Sequence, residues 1–571
     1  MRTTFLFSLL FILLLSTCNH QAPQETADLI LLNGQFYTVN PEQPTVEAIA
    51  IAKGRIIALG TSDEMTAWQT PETEILDLQG QFAMPGFIEG HGHFSGMGSS
   101  LLNLNFLEAK SWDEIVQMVA EKVKTAAPGE WITGRGWHQE KWLERPEQQY
   151  YGYPFHDVLS AVSPNNPVLL DHASGHAVFA NKAAMDAAGI TLETPNPSGG
   201  AILRDSRGAA IGVFEEKAEG LIVKAYQDYL ATLDQEQQKA IWYKGVELAQ
   251  AECLRNGITS FQDAGSSFEE IARYKELAEK QAFDIRLWAM LRHSYDRMKD
   301  SLSDFPIIDV GQNFFTCRAI KSEVDGALGS FGAWLLTSYS DKPNFHGQNT
   351  TPIPEVKRIA GLAIAHDMQL CVHAIGDRAN RVVLNIYEET FNAYPDKINL
   401  RWRIEHAQHL DTSDIPRFKE LGVIASMQGI HCTSDAPFVV SRLGESRARF
   451  GAYPWRSLLD AGVVVANGTD VPVENIDPIQ SFYASVTRRR TDTGLVFFPE
   501  QAMTREEAVY SYTLGNAYAA FEEHFKGSLE VGKVADIVVL SKDLIHCSDE
   551  EILQTEVVMT FVDGKLKYKR G

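Results

Sequence analysis

Residues 369–406, QLCVHAIGDRANRVVLNIYEETFNAYPDKINLRWRIEH, decide the fold. Gln369-Leu370-Cys371-Val372 is a short apolar run that stops at His373, an amphipathic stretch follows, and Arg403-Ile404-Glu405 stops at His406. Strand, helix and strand in that order form a βαβ unit with parallel strands. The same alternation continues on both sides, with strands expected to end near His93, Asp263, Leu291, Asp325, His373, His406, Gln428 and Asp470. A barrel of about 250 residues allots about 31 to each βα unit. The step from His373 to His406 is 406 − 373 = 33, and 470 − 406 = 64 holds two units with a strand at 423–428 between them. The expected fold is therefore α/β, a (β/α)8 TIM barrel over residues 83–524. Its first interval, 263 − 93 = 170, is too long for one unit, so a large insertion after strand one is expected at about 95–255.

Outside the barrel, short alternating runs precede two-residue turn signals at Asn33-Gly34, Lys53-Gly54 and Gln79-Gly80. The same style returns at 536–540, 557–562 and 565–569, with Asp563-Gly564 as a turn. One small β-sandwich built from residues 27–82 and 525–571 is expected to close on both ends of the barrel segment. Residues 1–26 read as a lipoprotein-type signal and tether: Arg2 precedes an apolar run at 5–15, too short to span a bilayer, and Leu15-Ser16-Thr17-Cys18 resembles a lipobox with Cys18 as the lipidated residue. The chain is thus expected to be exported, as a periplasmic or membrane-anchored lipoprotein that meets the membrane only through that anchor.

Composition narrows the partners. With 51 Lys and Arg against 74 Asp and Glu, the formal charge of −23 repels a phosphate backbone, so nucleic acid is not an expected partner. The cysteines after Cys18 show no C-x-x-C spacing, which gives neither a disulfide framework nor a cysteine zinc site. A small-molecule substrate remains.

The ionisable groups at the strand ends carry the chemistry. In Gly90-His91-Gly92-His93 the period of two in a strand puts both imidazoles on one side, where they can chelate one metal. His373, His406 and Asp470 each follow an apolar run, and in a barrel such strand ends converge at the C-terminal face. Lys321, Glu323 and Asp325 share one face of a further strand, and any of them could be offered to a metal. His431, after the seventh strand, and His176, in the insertion, are candidates for binding substrate. Trp131, Trp137 and Trp142 are expected to pack within the insertion.

At these residues the chain resembles the amidohydrolase superfamily, in particular its amidohydrolase 3 (YtcJ-like) branch, which includes N-substituted formamide deformylases. The resemblance rests on MPGFIEGHGH (84–93), GEWITGRGW (129–137), GITSFQDAG (257–265), VDGALGS (324–330), VHAIGDRAN (372–380), RIEHAQ (403–408), NGTDVPVENIDPI (467–479) and GSLEVGKVADIVVL (527–540). It implies a site for one or two divalent metal ions, zinc first, held by His91, His93, His373, His406 and Asp470. It also tips the choice on strand four to Lys321, as an N-carboxylated lysine that bridges two ions. Asp470 is then the catalytic residue that takes a proton from water and passes it to a leaving nitrogen. Gly429, Phe331 and His138 stand where related sequences usually carry Pro, Arg and Asp, so the resemblance alone does not fix substrate specificity, while metal hydrolysis is untouched. The expected activity is hydrolysis of a carbon–nitrogen bond in a non-peptide amide, formamide or cyclic imide. The alternatives are ester or lactone hydrolysis at the same site and ligand binding without turnover.

Overall fold

A computed structural model describes residues 26–106, 109–139, 142–144, 146, 148–150, 152–172, 177–329 and 331–571. Cys18 and the rest of the leader, and His176, lie outside the described residues.

Eight parallel strands form one nearly closed sheet: β1 (Phe87–Gly92), β2 (Ile258–Ser266), β3 (Arg286–Leu291), β4 (Phe315–Glu323), β5 (Gln369–Ala374), β6 (Arg403–His406), β7 (Ile424–Gln428) and β8 (Val465–Gly468). Each pairs with the next in chain order. Every residue of β1, β3, β6, β7 and β8 is buried, as in a sheet covered on both faces, and in β1 and β6 the buried set includes Glu89, His91, Arg403, Glu405 and His406. The arrangement is that of a TIM barrel.

The seam between β8 and β1 is closed by side chains. Asn516 Nδ2 donates to Ile88 O at 2.6 Å and to Asn467 O at 2.7 Å, while its Oδ1 accepts from Asn467 N at 3.2 Å. Glu89 accepts from Thr469 N at 2.7 Å and Thr469 Oγ1 at 3.0 Å. A Cβ on Gly90 would lie 2.3 Å from Asn516 Oδ1, and one on Gly468 would lie 2.3 Å from Glu89 Oε1. Glycine at both positions lets these bridges cross the seam and so fixes β1 beside β8, where two groups of the site sit.

Between β1 and β2, helices α1 (Phe94–Leu102) and α2 (Gln235–Arg255) pack tightly, and a Cβ on Gly98 would come within 2.5 Å of Gly245 O. Phe94, Met97, Val246, Ala249 and Cys253 join the barrel's own core, so the two helices belong to its outer layer. The inserted part proper lies between them, with its own six-stranded sheet ordered 200–204, 210–216, 177–180, 168–172, 132–137, 104–105. Trp137 is fully buried there and donates from Nε1 to Leu170 O at 2.9 Å; Trp131 and Trp142 fill apolar clusters of the insertion.

The terminal segments form two sheets. One, ordered 55–60, 48–52, 29–32, 74–77, is wholly N-terminal; the other, ordered 565–569, 557–562, 537–540, 82–85, 35–37, 45–46, interleaves both ends of the chain. Leu31, Phe36, Ile49, Ile51, Ile537, Val539 and Phe561 share one apolar cluster across them. Lys53-Gly54 and Asp563-Gly564 are hairpin turns, as expected. Asn33-Gly34 differs: it carries the chain from one sheet into the other, because strand 29–32 finds its partners at 48–52 and 74–77.

Arg286, fully buried at the start of β3, ties barrel to sheets. Its Nε lies 2.7 Å from Asp536 Oδ2 and its Nη2 3.3 Å from Asp563 Oδ1, with the guanidinium 4.5 Å from the Phe314 ring centroid. Removing one partner of a buried pair leaves an uncompensated charge. Asp536→Ala is expected to destabilise the protein by about 3 kcal/mol, the low end for such a break because Asp563 stays beside the guanidinium. Thermal unfolding checks this; an unchanged midpoint would mean that the pair does not hold the sheets to the barrel.

Candidate metal centre

β1 delivers His91 and His93 from the same side of the strand, their ring centroids 5.9 Å apart. Asp470 comes from across the seam: its Oδ1 lies 3.6 Å from His91 Nε2 and 3.2 Å from His93 Nε2, and its Oδ2 lies 3.9 Å from His431 Nε2. His406 sits with its ring centroid 4.7 Å from that of His91 and 4.4 Å from that of His373. The ligating atoms of His91, His93 and Asp470 lie within 4.8 Å of one another, as do those of His406, His431 and Asp470. Six expected site residues, from β1, β5, β6, the start of the helix after β7, and the end of β8, thus meet at one place.

Two of them depend on unusual backbone. His406 has φ +73° and Asp470 has φ +61°, left-handed values that a non-glycine residue adopts at a cost of about 1–3 kcal/mol. Strict alternation would put Glu405 and His406 on opposite faces of β6. The turn at His406 lets both reach His91, one by a hydrogen bond and one by ring contact.

Three buried atoms of this cluster, His91 Nε2, His373 Nε2 and Asp470 Oδ1, have no hydrogen-bond partner among the described residues. Buried polar atoms are normally paired. His91 Nε2 and Asp470 Oδ1, 3.6 Å apart, fit a divalent cation of the zinc type, while His373 Nε2 stands 3.8 Å from Asp325 Oδ1. The rings are prepared for it from behind. His91 Nδ1 is bonded to the Glu405 carboxylate, whose Oε1 lies 2.7 Å from Arg403 Nε, and His406 Nδ1 lies 2.8 Å from Gln428 Oε1. Each ring therefore carries its proton on Nδ1 and turns a lone pair inward from Nε2.

Electrostatics keep the rings neutral. Burial, then the nearby Lys321 ammonium, brings the His91 pKa down to about 4 and that of His373 to about 3. Burial and then His373 drive that of His406 well below its usual value. For Glu405, burial alone would raise the pKa, but Arg403, His91 and Lys321 outweigh it and the carboxyl is held ionised.

Of the three groups on β4 and its end, two have other partners, although Asp325 Oδ1 also lies 3.8 Å from His373 Nε2. Glu323 pairs with Arg292 at the surface. Asp325, in the loop after the strand, accepts backbone hydrogen bonds from Ile375 at 2.9 Å and from Gly376 and Trp334 at 2.8 Å each. Lys321 is 3% exposed, donates among the described residues a long 3.4 Å bond to Ala264 O, and is close enough to His91, His373 and His406 to shift all three.

Sequence reasoning assigned no role to Glu405, Gln428, Arg403 or Gln408. RIEHAQ contains three of them, but a ring partner is chosen by tertiary approach, and no spacing rule points to it.

Comparison with known proteins places the chain in a family. The Amidohydrolase family model matches residues 74–568. The chain is 30% identical over 548 residues to the putative amidohydrolase YtcJ of Bacillus subtilis (strain 168), covering 94% of this chain and 99% of that protein. It is 30% identical over 554 residues to the N-substituted formamide deformylase of Arthrobacter pascens, covering 95% and 98%. Among solved structures, an uncharacterized metal-dependent hydrolase from Pyrococcus horikoshii OT3 superposes with a TM-score of 0.70 at 26% identity, over 91% of this chain and 99% of that one. With this match spanning the barrel, the flanking sheets and the clustered histidines, the chain belongs to the amidohydrolase family.

Proposed function

We propose that this protein is a metal-dependent hydrolase that cleaves a carbon–nitrogen bond in a small non-peptide amide, an N-substituted formamide first. His91, His93, His373, His406 and Asp470 would hold one or two ions, and Lys321, carboxylated at Nζ, would supply a further carboxylate ligand. The observation that carries the reading is the grouping of the ligating atoms of His91, His93 and Asp470 within 4.8 Å of one another, with His91 Nε2 buried and without a hydrogen-bond partner among the described residues. A divalent cation bound there, zinc in this proposal, polarises a carbonyl and lowers the pKa of water from about 15.7 to about 7.

The chain's own groups do the rest. Asp470 accepts the proton of the attacking water and returns it to the leaving nitrogen. Glu405 and Gln428 hold two rings in the tautomer that presents a lone pair. Relatives that include an N-substituted formamide deformylase support the carbon–nitrogen choice. The leader adds that the enzyme works outside the cytoplasm, anchored at Cys18; a Cys18→Ala protein that stays in the membrane fraction would remove that part.

Elemental analysis and turnover test the reading. The purified protein is expected to carry zinc, to release 4-nitroaniline from 4-nitroformanilide, to lose that activity to a chelator and to regain it with added zinc. Metal with cleavage of 4-nitrophenyl acetate alone would move the assignment to ester hydrolysis, and metal without turnover to a binding protein.

A further inference from the structure

Around Asp470, three histidines have a visible partner on Nδ1, and the partners are not of one kind. His91 meets a carboxylate, and His406 meets the carbonyl oxygen of Gln428, whose amide nitrogen is turned to Ser426 O at 3.4 Å. Both partners accept. His431 is the reverse: its Nδ1 lies 3.1 Å from Nε2 of Gln408, an amide nitrogen that can only donate. Nδ1 of His431 therefore accepts, the neutral ring carries its proton on Nε2, and that N–H lies 3.9 Å from Asp470 Oδ2. A protonated nitrogen has no lone pair for a cation.

We propose that His431 is a hydrogen-bond donor to the substrate carbonyl oxygen as negative charge gathers on it, and that Gln408 is the positioning residue that fixes its tautomer; this rests on the hydrolase reading above. The rings of His406 and His431 are nearly parallel, 18° apart with centroids separated by 6.1 Å. The N–H of His431 thus stands beside the lone pair with which His406 would hold a cation, so the donor is placed next to the candidate metal position. Asp435, one helical turn beyond His431, does not compete, because its carboxylate accepts from Tyr453 Oη at 2.6 Å.

The position of His431 is set by its helix, α3 (Gly429–Leu443), whose start is pinned. Gly429 N donates to Asn467 Oδ1 at 2.9 Å and Ile430 N to Ser481 Oγ at 3.0 Å. A Cβ on Gly429 would lie 2.3 Å from Ser485 Oγ and 2.4 Å from Ser481 O, so the close seating depends on the glycine. A donor held this rigidly loses little order when substrate arrives.

The test uses metal-loaded enzyme and whichever of 4-nitroformanilide and 4-nitrophenyl acetate the wild type cleaves. His431→Leu is expected to keep wild-type metal and lose about 10²–10³ in kcat, the usual effect of deleting such a donor. His431→Asn, which retains an N–H, is expected to recover part of the loss. Gln408→Leu is expected to lower kcat about tenfold with KM within about twofold and an unchanged unfolding midpoint. Histidine 15N NMR, which needs no turnover, is expected to find the His431 proton on Nε2 in the wild type, the signal being assigned by its disappearance in His431→Leu. A metal equivalent lost from His431→Leu would make it a ligand, a kcat within about threefold of wild type would make it a bystander, and a proton on Nδ1 would reverse the tautomer; each overturns the proposal. A wild type inactive on both probes sinks the hydrolase reading instead, and the NMR result then decides the tautomer alone.

Discussion

Asp470→Asn is expected to fold, to keep most of its metal and to lose about 10²–10⁴ in kcat. Three features make this substitution a clean probe of proton transfer. Asp470 has φ +61°, and asparagine is among the few residues that tolerate that region, so the backbone need not move. The amide keeps an oxygen where Oδ1 faces His91 and His93, and so still offers the cation a ligand. What is lost is the capacity to take up a proton and give it back. Burial alone would raise the pKa of this carboxyl, but the His93 ring beside it and the rings of His91, His406 and His431 outweigh it and keep the group ionised. Steady-state rates alongside elemental analysis decide the matter. An asparagine variant within a few fold of wild type would take Asp470 out of the proton-transfer role while leaving its place among the ligands open.

The strand ends were legible because a barrel strand is buried on both faces, and an apolar run that stops at a polar residue needs no knowledge of the partners. His91 and His93 could be paired by a period of two. Glu405 could not be paired with His406, since that period sends adjacent residues to opposite faces, and only the left-handed turn at His406 defeats it. The insertion was visible as an excess of length, but its edges were blurred. α1 and α2 belong to the barrel through small-residue contact at Gly98 and Gly245, which looks the same in sequence as any helix flanking an inserted domain. Asn33-Gly34 reads as a hairpin because local turn chemistry cannot tell which sheet the next strand joins. Lys321, Glu323 and Asp325 were equivalent by alternation. They are separated only by partners remote in sequence: Arg292 for Glu323, and the backbone of residues 334, 375 and 376 for Asp325.

Lys321→Ala is expected to lose one of two bound metal ions and most of its activity, and to regain part of that activity when formate, acetate or propionate is added. An ammonium cannot bind a cation. A neutral lysine nitrogen can attack carbon dioxide, forming an N–C bond and releasing a proton, and the resulting carbamate has two oxygens able to bridge two ions. Burial lowers the Lys321 pKa, against the pull of Glu405 and Asp470, and so favours the neutral amine that the reaction needs. The side chain makes only one long hydrogen bond that the structure records, to Ala264 O at 3.4 Å, so few native contacts oppose the change. Alanine removes the Lys321 side chain, and a free carboxylate entering the space it leaves would supply the same two oxygens without the covalent tether. Rescue should therefore fall off with acid size, and a 13C carbamate signal from labelled bicarbonate should be present in the wild type and absent from the variant. If Lys321→Ala instead keeps two ions and the wild-type rate, the lysine is no bridge. Glu323 is held at the surface by Arg292 and Asp325 by three backbone amides, so two ions that stay without the lysine would be held by the histidines and Asp470 alone.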